Sequence, residues 1–244
     1  MSTSQNIYDR QEFFEGYQRL RENPYSANNV EEKPALFSLA PELTEKRVLD
    51  LGCGFGENCR TFKEMGASYV LGVDLSKKML EVAARENPSL DFVCGDMSDL
   101  TFIKETFDVV FSSLAVHYVE KFDLLVKSIY GLLAPGGIFL FSQEHPLTTA
   151  PMAGASWTKD EYGEDLHYNL TDYSRSGKRT TAWIVDGVEK YHRTFSEIVN
   201  ALVSAGFTIK AMVETVPPKE LCAMNPKWER CRHKPNFLLI KVQK

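Results

Sequence analysis

The stretch Val48–Asn58, VLDLGCGFGEN, constrains the chain more than any other. A short apolar run (Val48, Leu49, Leu51) carries Asp50 and then breaks into Gly52, Gly54 and Gly56. A helical pattern follows, with Cys59, Phe62 and Met65 on one side and Gly66 as its stop. A buried parallel strand, a tight glycine turn and a helix start make the first βα unit of a Rossmann-like α/β domain. Positions without side chains let the backbone approach a ligand closely, and the helix N-terminus offers unpaired N–H groups. The pattern predicts a nucleotide-like ligand at this turn.

The glycines run G-x-G-x-G, not the G-x-G-x-x-G of dinucleotide sites, and an acid stands two places before the first of them. A carboxylate there suits a cationic ligand and would repel a pyrophosphate. Two further acids close the next two strands. Tyr69–Val73 predicts strand two, ending at Asp74, where a carboxylate accepts hydrogen bonds from a ribose hydroxyl pair. Leu90–Val93 predicts strand three, followed by Asp96 and Met97. Asp50–Gly56 resembles the first motif of class I S-adenosylmethionine (SAM) dependent methyltransferases, and LLAPGGIFLFS at 132–142 resembles another recurrent stretch of that family.

The resemblance covers residues 47–142 by motif and 194–244 by element order. It implies a Rossmann-like, mostly parallel seven-stranded sheet of order 3-2-1-4-5-7-6 with helices on both faces. It also implies SAM as cofactor and S-adenosylhomocysteine (SAH) as product. By the resemblance the cofactor residues are Asp50, Gly52, Cys53, Gly54, Gly56 and Asp74. With them go Leu75 against the adenine, Asp96 accepting from its amino group, Met97 donating a backbone N–H, and Ser112 after strand four. The N-terminal segment commonly folds over the cofactor in such proteins, so Tyr17 and Arg21 are expected near its carboxylate.

The 244 residues, 43% hydrophobic, suffice for one sizeable α/β domain with an insertion. The net charge of −5 gives no reason to expect a polyanion partner, and the Asn/Asp-Pro-Pro-Tyr/Phe motif that holds a flipped base is missing after strand four, where Ser112-Ser113-Leu114 stands. No nucleic acid is expected as substrate. No apolar run reaches membrane-spanning length and no signal-peptide pattern opens the chain, so no membrane partner is expected. Five irregularly spaced cysteines argue for a reducing compartment, hence a cytoplasmic location, and against a disulfide framework. The sequence sets no oligomeric state.

Four segments follow: an N-terminal helical cap (1–46), the SAM-binding core (47–145), an inserted lid (146–193) and the C-terminal part of the core (194–244). The lid segment is too long for a plain connection and rich in aromatics. Asp186-Gly187, between β-rich flanks, predicts a two-residue hairpin turn within it. Trp157, Tyr168, Trp183 and His192 are its candidate substrate contacts. Ala134-Pro135-Gly136-Gly137 predicts a turn into strand five, Ile138–Ser142, and Thr194–Glu197 a capping box opening the next helix.

The activity implied by the resemblance is in-line transfer of the sulfonium methyl to a small-molecule acceptor with an oxygen or nitrogen nucleophile. Where that nucleophile must lose a proton, His145 is the first candidate base, because it follows strand five at the carboxyl edge of the sheet, and His117 the second. No metal is implied. An NAD(P)-dependent oxidoreductase would share Asp74 and the glycine turn but leaves Asp96 without a task. A non-catalytic SAM-binding protein would keep the acids and lack a base.

Overall fold

The apolar runs pair edge to edge in one sheet. The computed structural model describes residues 4–244, with the side chains of Pro226 and Lys227 excepted, so the first three residues of the expected cap lie outside the described residues. Strands β1 (Arg47–Leu51), β2 (Tyr69–Asp74), β3 (Asp91–Cys94), β4 (Phe107–Ser112) and β5 (Leu133–Glu144) run parallel. Strand β11 (Phe237–Gln243) lies antiparallel between β5 and β10 (Thr208–Glu214). The order β3-β2-β1-β4-β5-β11-β10 is the one expected from the sequence once the lid strands are numbered in.

Alternation along each strand divides the core between the two faces. Leu49, Leu71, Val110 and Phe139 face a cluster with Leu125 of α5 (Phe122–Leu132) and Ile198 of α7 (Phe195–Ser204). Their neighbours Val48, Val70, Val109 and Leu140 face the opposite cluster. It holds Leu36 of α2 (Lys33–Ser38), Phe62 of α3 (Glu57–Glu64) and Leu80 of α4 (Lys77–Glu86). Buried on both sides, the strands read as continuous apolar runs. Helix α7 opens on the expected capping box, with Thr194 and Glu197 exchanging hydrogen bonds. The Ala134–Gly137 stretch departs from expectation. It is an irregularity inside β5, where pairing with β4 jumps from Phe107↔Leu133 to Val109↔Ile138, and not a turn before the strand.

Residues 146–193 form a short helix α6 (Pro146–Thr149), an antiparallel pair β6 (Trp157–Lys159) and β7 (Asp165–Tyr168), and a hairpin β8 (Gly177–Trp183) and β9 (Val185–His192). The hairpin is where the sequence puts one, but Asp186-Gly187 is not its turn. The chain reverses at Ile184, φ 61°, and pairing shifts from Thr181↔Val188 to Trp183↔Val185, so β9 carries one extra residue. Gly187, φ 82°, takes the left-handed conformation at that bulge. The positive φ that an Asp-Gly pair advertises is used beside the turn instead of within it.

Helix α1 (Gln11–Glu22) lies against this hairpin. Gln5 donates to the Gly187 carbonyl at 2.9 Å and accepts from the Glu189 N–H at 3.0 Å. Buried Ile7, Phe13 and Val188 cluster between the two segments. A short helical stretch, 28–32, ties the cap to the sheet edge. Glu32 accepts hydrogen bonds from Ser113 and Ser142, and Glu31 from Thr215 and Asn236. The N-terminal segment and the hairpin together roof the carboxyl ends of the strands.

Candidate active site

Under that roof is a cavity of about 370 Å³, within the range of small-molecule sites. Its floor is the glycine turn. The N–H groups of Gly52 and Cys53 both donate to the Val73 carbonyl, at 2.8 and 3.0 Å, which pins the turn to β2. Gly52 has φ 77°, and a Cβ there would stand 2.4 Å from the Ala115 Cβ. Gly54, φ 54°, lines the cavity, and a Cβ on it would meet no atom within 4 Å. One glycine is required by packing and the other leaves space for a ligand. Gly56 precedes α3 behind the turn, facing Phe92, and does not line the cavity.

The acids at the strand ends divide in two. Asp74 lines the cavity and accepts from the Gly54 and Ser76 N–H groups, one on each carboxylate oxygen, both at 2.8 Å. Each oxygen keeps a second lone pair for a hydroxyl. Burial raises its carboxyl above the usual range. Asp96, Met97, Leu75 and Cys53 also line the cavity, and Asp96 accepts from the Ser98 N–H at 2.8 Å. Asp50 does not line it. Fully buried behind the turn, it takes the Cys59 thiol at 3.5 Å on Oδ2, and its Oδ1 has no partner. Burial pushes this carboxyl up to about 7. The expectation that Asp50 touches the ligand is corrected: its position permits only an influence through the turn. Ser112 is corrected likewise, being buried off the cavity with its hydroxyl on the Leu51 carbonyl at 2.8 Å. Tyr17 and Arg21 do line the cavity, and Arg21 is engaged by Glu57 and Asn28.

The histidines exchange places. His145 lies off the cavity with both ring nitrogens occupied. Nδ1 accepts the Leu147 N–H at 3.1 Å, capping α6, and Nε2 meets Glu214 at 3.0 Å. The residue expected as first base is a structural cap. His117 lines the cavity, and among the described residues its buried Nδ1 has no hydrogen-bond partner. Burial pushes its pKa down to about 4, so the ring is neutral at neutral pH. Glu144 lines the cavity beside it. Burial pushes that carboxyl up, but the Lys190 ammonium at 2.5 Å, with His117 and Lys234, outweighs burial and holds it below the usual range.

Of the four lid candidates only Trp183 lines the cavity. Trp157 and Tyr168 pack on each other at 5.3 Å on the small β6–β7 sheet, the Tyr168 hydroxyl donating to the Leu147 carbonyl. His192 is buried, with Thr149 on Nδ1 at 2.8 Å and the Tyr173 carbonyl at Nε2 at 2.9 Å. Aromatic density within 146–193 did not separate the rings that pack on each other from those that line the cavity. Tyr8, Tyr118, Glu144 and Tyr191 line the cavity and were not read from the sequence. For Glu144 a signal existed: strand alternation puts it on the side of Ser142, away from its neighbour His145.

Residues 49–141 match the family described as the methyltransferase domain. The crystal structure of an S-adenosylmethionine dependent methyltransferase from Mesorhizobium loti superposes with TM-score 0.81 at 38% identity, covering 90% of this chain and 99% of that one. An uncharacterized protein of Haemophilus influenzae is 39% identical over the whole of this chain and 99% of its own length. Malonyl-[acyl-carrier protein] O-methyltransferase of Yersinia pestis is 30% identical over 55% of this chain, which spans only 51% of that protein.

Proposed function

The chain belongs to the SAM-dependent methyltransferases, and from that premise we propose that it methylates a small molecule on oxygen or nitrogen, with His117 receiving the proton. Membership closes the nicotinamide alternative. SAM supplies an electrophilic sulfonium methyl and leaves as SAH. The residues present fit it: the open glycine at 54, the spare lone pairs of Asp74, and an acid behind the turn whose Oδ1 has no partner. Asp74 holds the ribose, Asp96 and Met97 the adenine edge, and Leu75 the ring face. Tyr17 lies toward the amino-acid end. Arg21 holds that wall through Glu57, its guanidinium already engaged.

A small acceptor is favoured by the roof. Helix α1 and the β8–β9 hairpin meet over the cavity of about 370 Å³, within the range of small-molecule sites. The observation that carries the catalytic reading is His117, a neutral imidazole lining the cavity with its Nδ1 unpartnered. It takes a proton as the nucleophile attacks, and the ionised Glu144 stabilises the imidazolium that results. Orientation and exclusion of water by the roof supply the rest.

Carboxylate acceptors, such as the names of the malonyl and fatty-acid O-methyltransferase relatives indicate for those proteins, are not carried over. Arg21 is the only Lys or Arg among the described lining residues, and Glu57 and Asn28 already engage it. The test is SAH release from an acceptor panel of amines, alcohols, phenols and carboxylic acids. His117→Ala is expected to lower kcat by about 100-fold or more, the range of a general base, while SAH affinity stays within two-fold. Undiminished turnover by His117→Ala removes the base.

A further inference from the structure

Asp74 and Leu75 line the cavity at the end of β2, and the link that carries them into α4 is held from outside by a residue far up the chain. Asp9 accepts the Ser76 hydroxyl at 2.7 Å and the Lys78 N–H at 3.2 Å on Oδ1, and the Asn6 amide at 2.6 Å on Oδ2. Asn6 also donates to the Leu75 carbonyl at 3.3 Å. Ser76 is fully buried and faces both ways. Its backbone N–H donates to Asp74 Oδ1 at 2.8 Å, and its Oγ accepts the Met79 N–H at 3.1 Å. Asp9 itself does not line the cavity. We propose that Asp9 is a positioning residue for cofactor binding, which through Ser76 fixes the aim of the Asp74 carboxylate at the ribose hydroxyls.

The local chemistry supports this task. A serine N-cap has a hydroxyl proton free to rotate; here Asp9 takes it, which holds the rotamer that keeps Oγ on the Met79 N–H. The same carboxylate takes an orphan N–H of the first turn of α4 and complements the positive end of that helix. The helix start is thus capped twice, once from within and once from the N-terminal segment, and the Ser76–Asp74 bond hangs from it. Burial pushes the Asp9 carboxyl up, but its hydrogen bonds to Ser76, Lys78 and Asn6 outweigh burial and hold it below the usual range, so it is ionised at neutral pH.

Charge alone would act in the opposite direction. Burial raises the Asp74 carboxyl, and the charge of Asp9 adds a smaller push the same way. Removing that charge would leave Asp74 more readily ionised and strengthen its hold on a hydroxyl pair. Removing a positioning contact weakens that hold. The sign of the change therefore separates the two effects.

The inference rests on the SAM reading with Asp74 at the ribose, and names what holds that acid in place. The probes are SAH and its 2′,3′-dideoxyribose analogue, which lacks the hydroxyl pair, titrated calorimetrically into the whole protein. The wild type is expected to prefer SAH by about 30-fold or more, from hydrogen bonds to a charged group. Asp9→Ala should cut that preference about five-fold or more, whereas Asp9→Asn, which keeps an oxygen for Ser76 and Lys78, should hold it within about two-fold. Ser76→Ala alone should bring the same loss, and adding Asp9→Ala to it should change the preference no further.

A loosened fold weakens both ligands alike and leaves their ratio where it was. That result in Asp9→Ala, or a raised preference for SAH, overturns the proposal. So does Asp9→Asn falling as far as Asp9→Ala, which would make the effect one of charge, or losses that add in the double variant. Equal binding of the two probes by the wild type takes Asp74 off the ribose and this inference with it, leaving the cofactor reading standing. Binding of neither probe by the folded wild type sinks both.

Discussion

Gly52 and Gly54 have the same kind of backbone and different surroundings, so alanine at each separates packing from binding. Both have positive φ, at 77° and 54°. A Cβ in the left-handed region costs about 1–2 kcal/mol, common to both. At Gly52 the new methyl would also stand 2.4 Å from the Ala115 Cβ and 3.2 Å from the Met97 methyl carbon. Overpacking of this kind costs about 1–3 kcal/mol. At Gly54 it meets no protein atom within 4 Å and projects beside the cavity. For a chain of this size each kcal/mol lowers Tm by about 2–4 °C. Gly52→Ala should therefore melt about 6 °C below Gly54→Ala in the ligand-free protein, by scanning fluorimetry. Calorimetry should give Gly54→Ala a SAH affinity at least ten-fold weaker, about 1.4 kcal/mol. Adding Ala115→Gly to Gly52→Ala removes the clash and keeps the backbone strain, so it should restore about half the loss. Equal melting of the two single variants, or SAH binding by Gly54→Ala within two-fold of wild type, would falsify the assignment of these glycines.

Asp74→Ala should weaken SAM binding ten-fold or more, since hydrogen bonds to a charged group are worth about 1.5–3 kcal/mol; unchanged affinity by calorimetry removes Asp74 from the ribose. His145→Ala should lower Tm, through loss of the α6 cap and the Glu214 contact, and leave kcat unchanged; a fall in kcat at constant stability would return His145 to the chemistry. Asp50 titrates at about 7 in the folded protein and about 3.9 unfolded. The folded state thus holds the proton more tightly. The stability contributed is complete below about pH 4 and is lost as pH rises through about 7, at most about 4 kcal/mol. Asp50→Asn should flatten the fall of Tm between those pH values; a slope as steep as wild type shows that the carboxyl does not titrate there.

The sheet and the cofactor turn were legible because their constraints are local. A doubly covered strand reads as an apolar run, a positive-φ turn as glycines, and an acid at a strand end as a ligand for hydroxyls, each within a few residues. Asp74 and Asp96 needed nothing distant to be placed at the cavity wall. Asp50 shows the limit of that reasoning. Its place in the motif is the same whether the carboxylate faces the ligand or the core, and only its neighbours Cys59 and the rest of the buried layer decide. His145 failed for a similar reason. Its position at the carboxyl edge was read correctly, but strand alternation sends Glu144 to the cavity and leaves His145 to cap the helix that begins one residue later.

The roofed end of the cavity was hidden because it is assembled from distant parts of the chain. Tyr8 meets Tyr118 through their hydroxyls at 3.3 Å, and Phe13 meets Trp183 at 5.5 Å, contacts separated by more than a hundred residues. No periodicity records such a pairing. The consequence is physical as well as inferential. The floor of the cavity comes from the contiguous stretch 52–97, whereas the roof exists only where the N-terminal segment and the hairpin lie together, joined by Gln5 to Gly187 and Glu189. A change that parts these two segments therefore disperses the roof and leaves the floor in place.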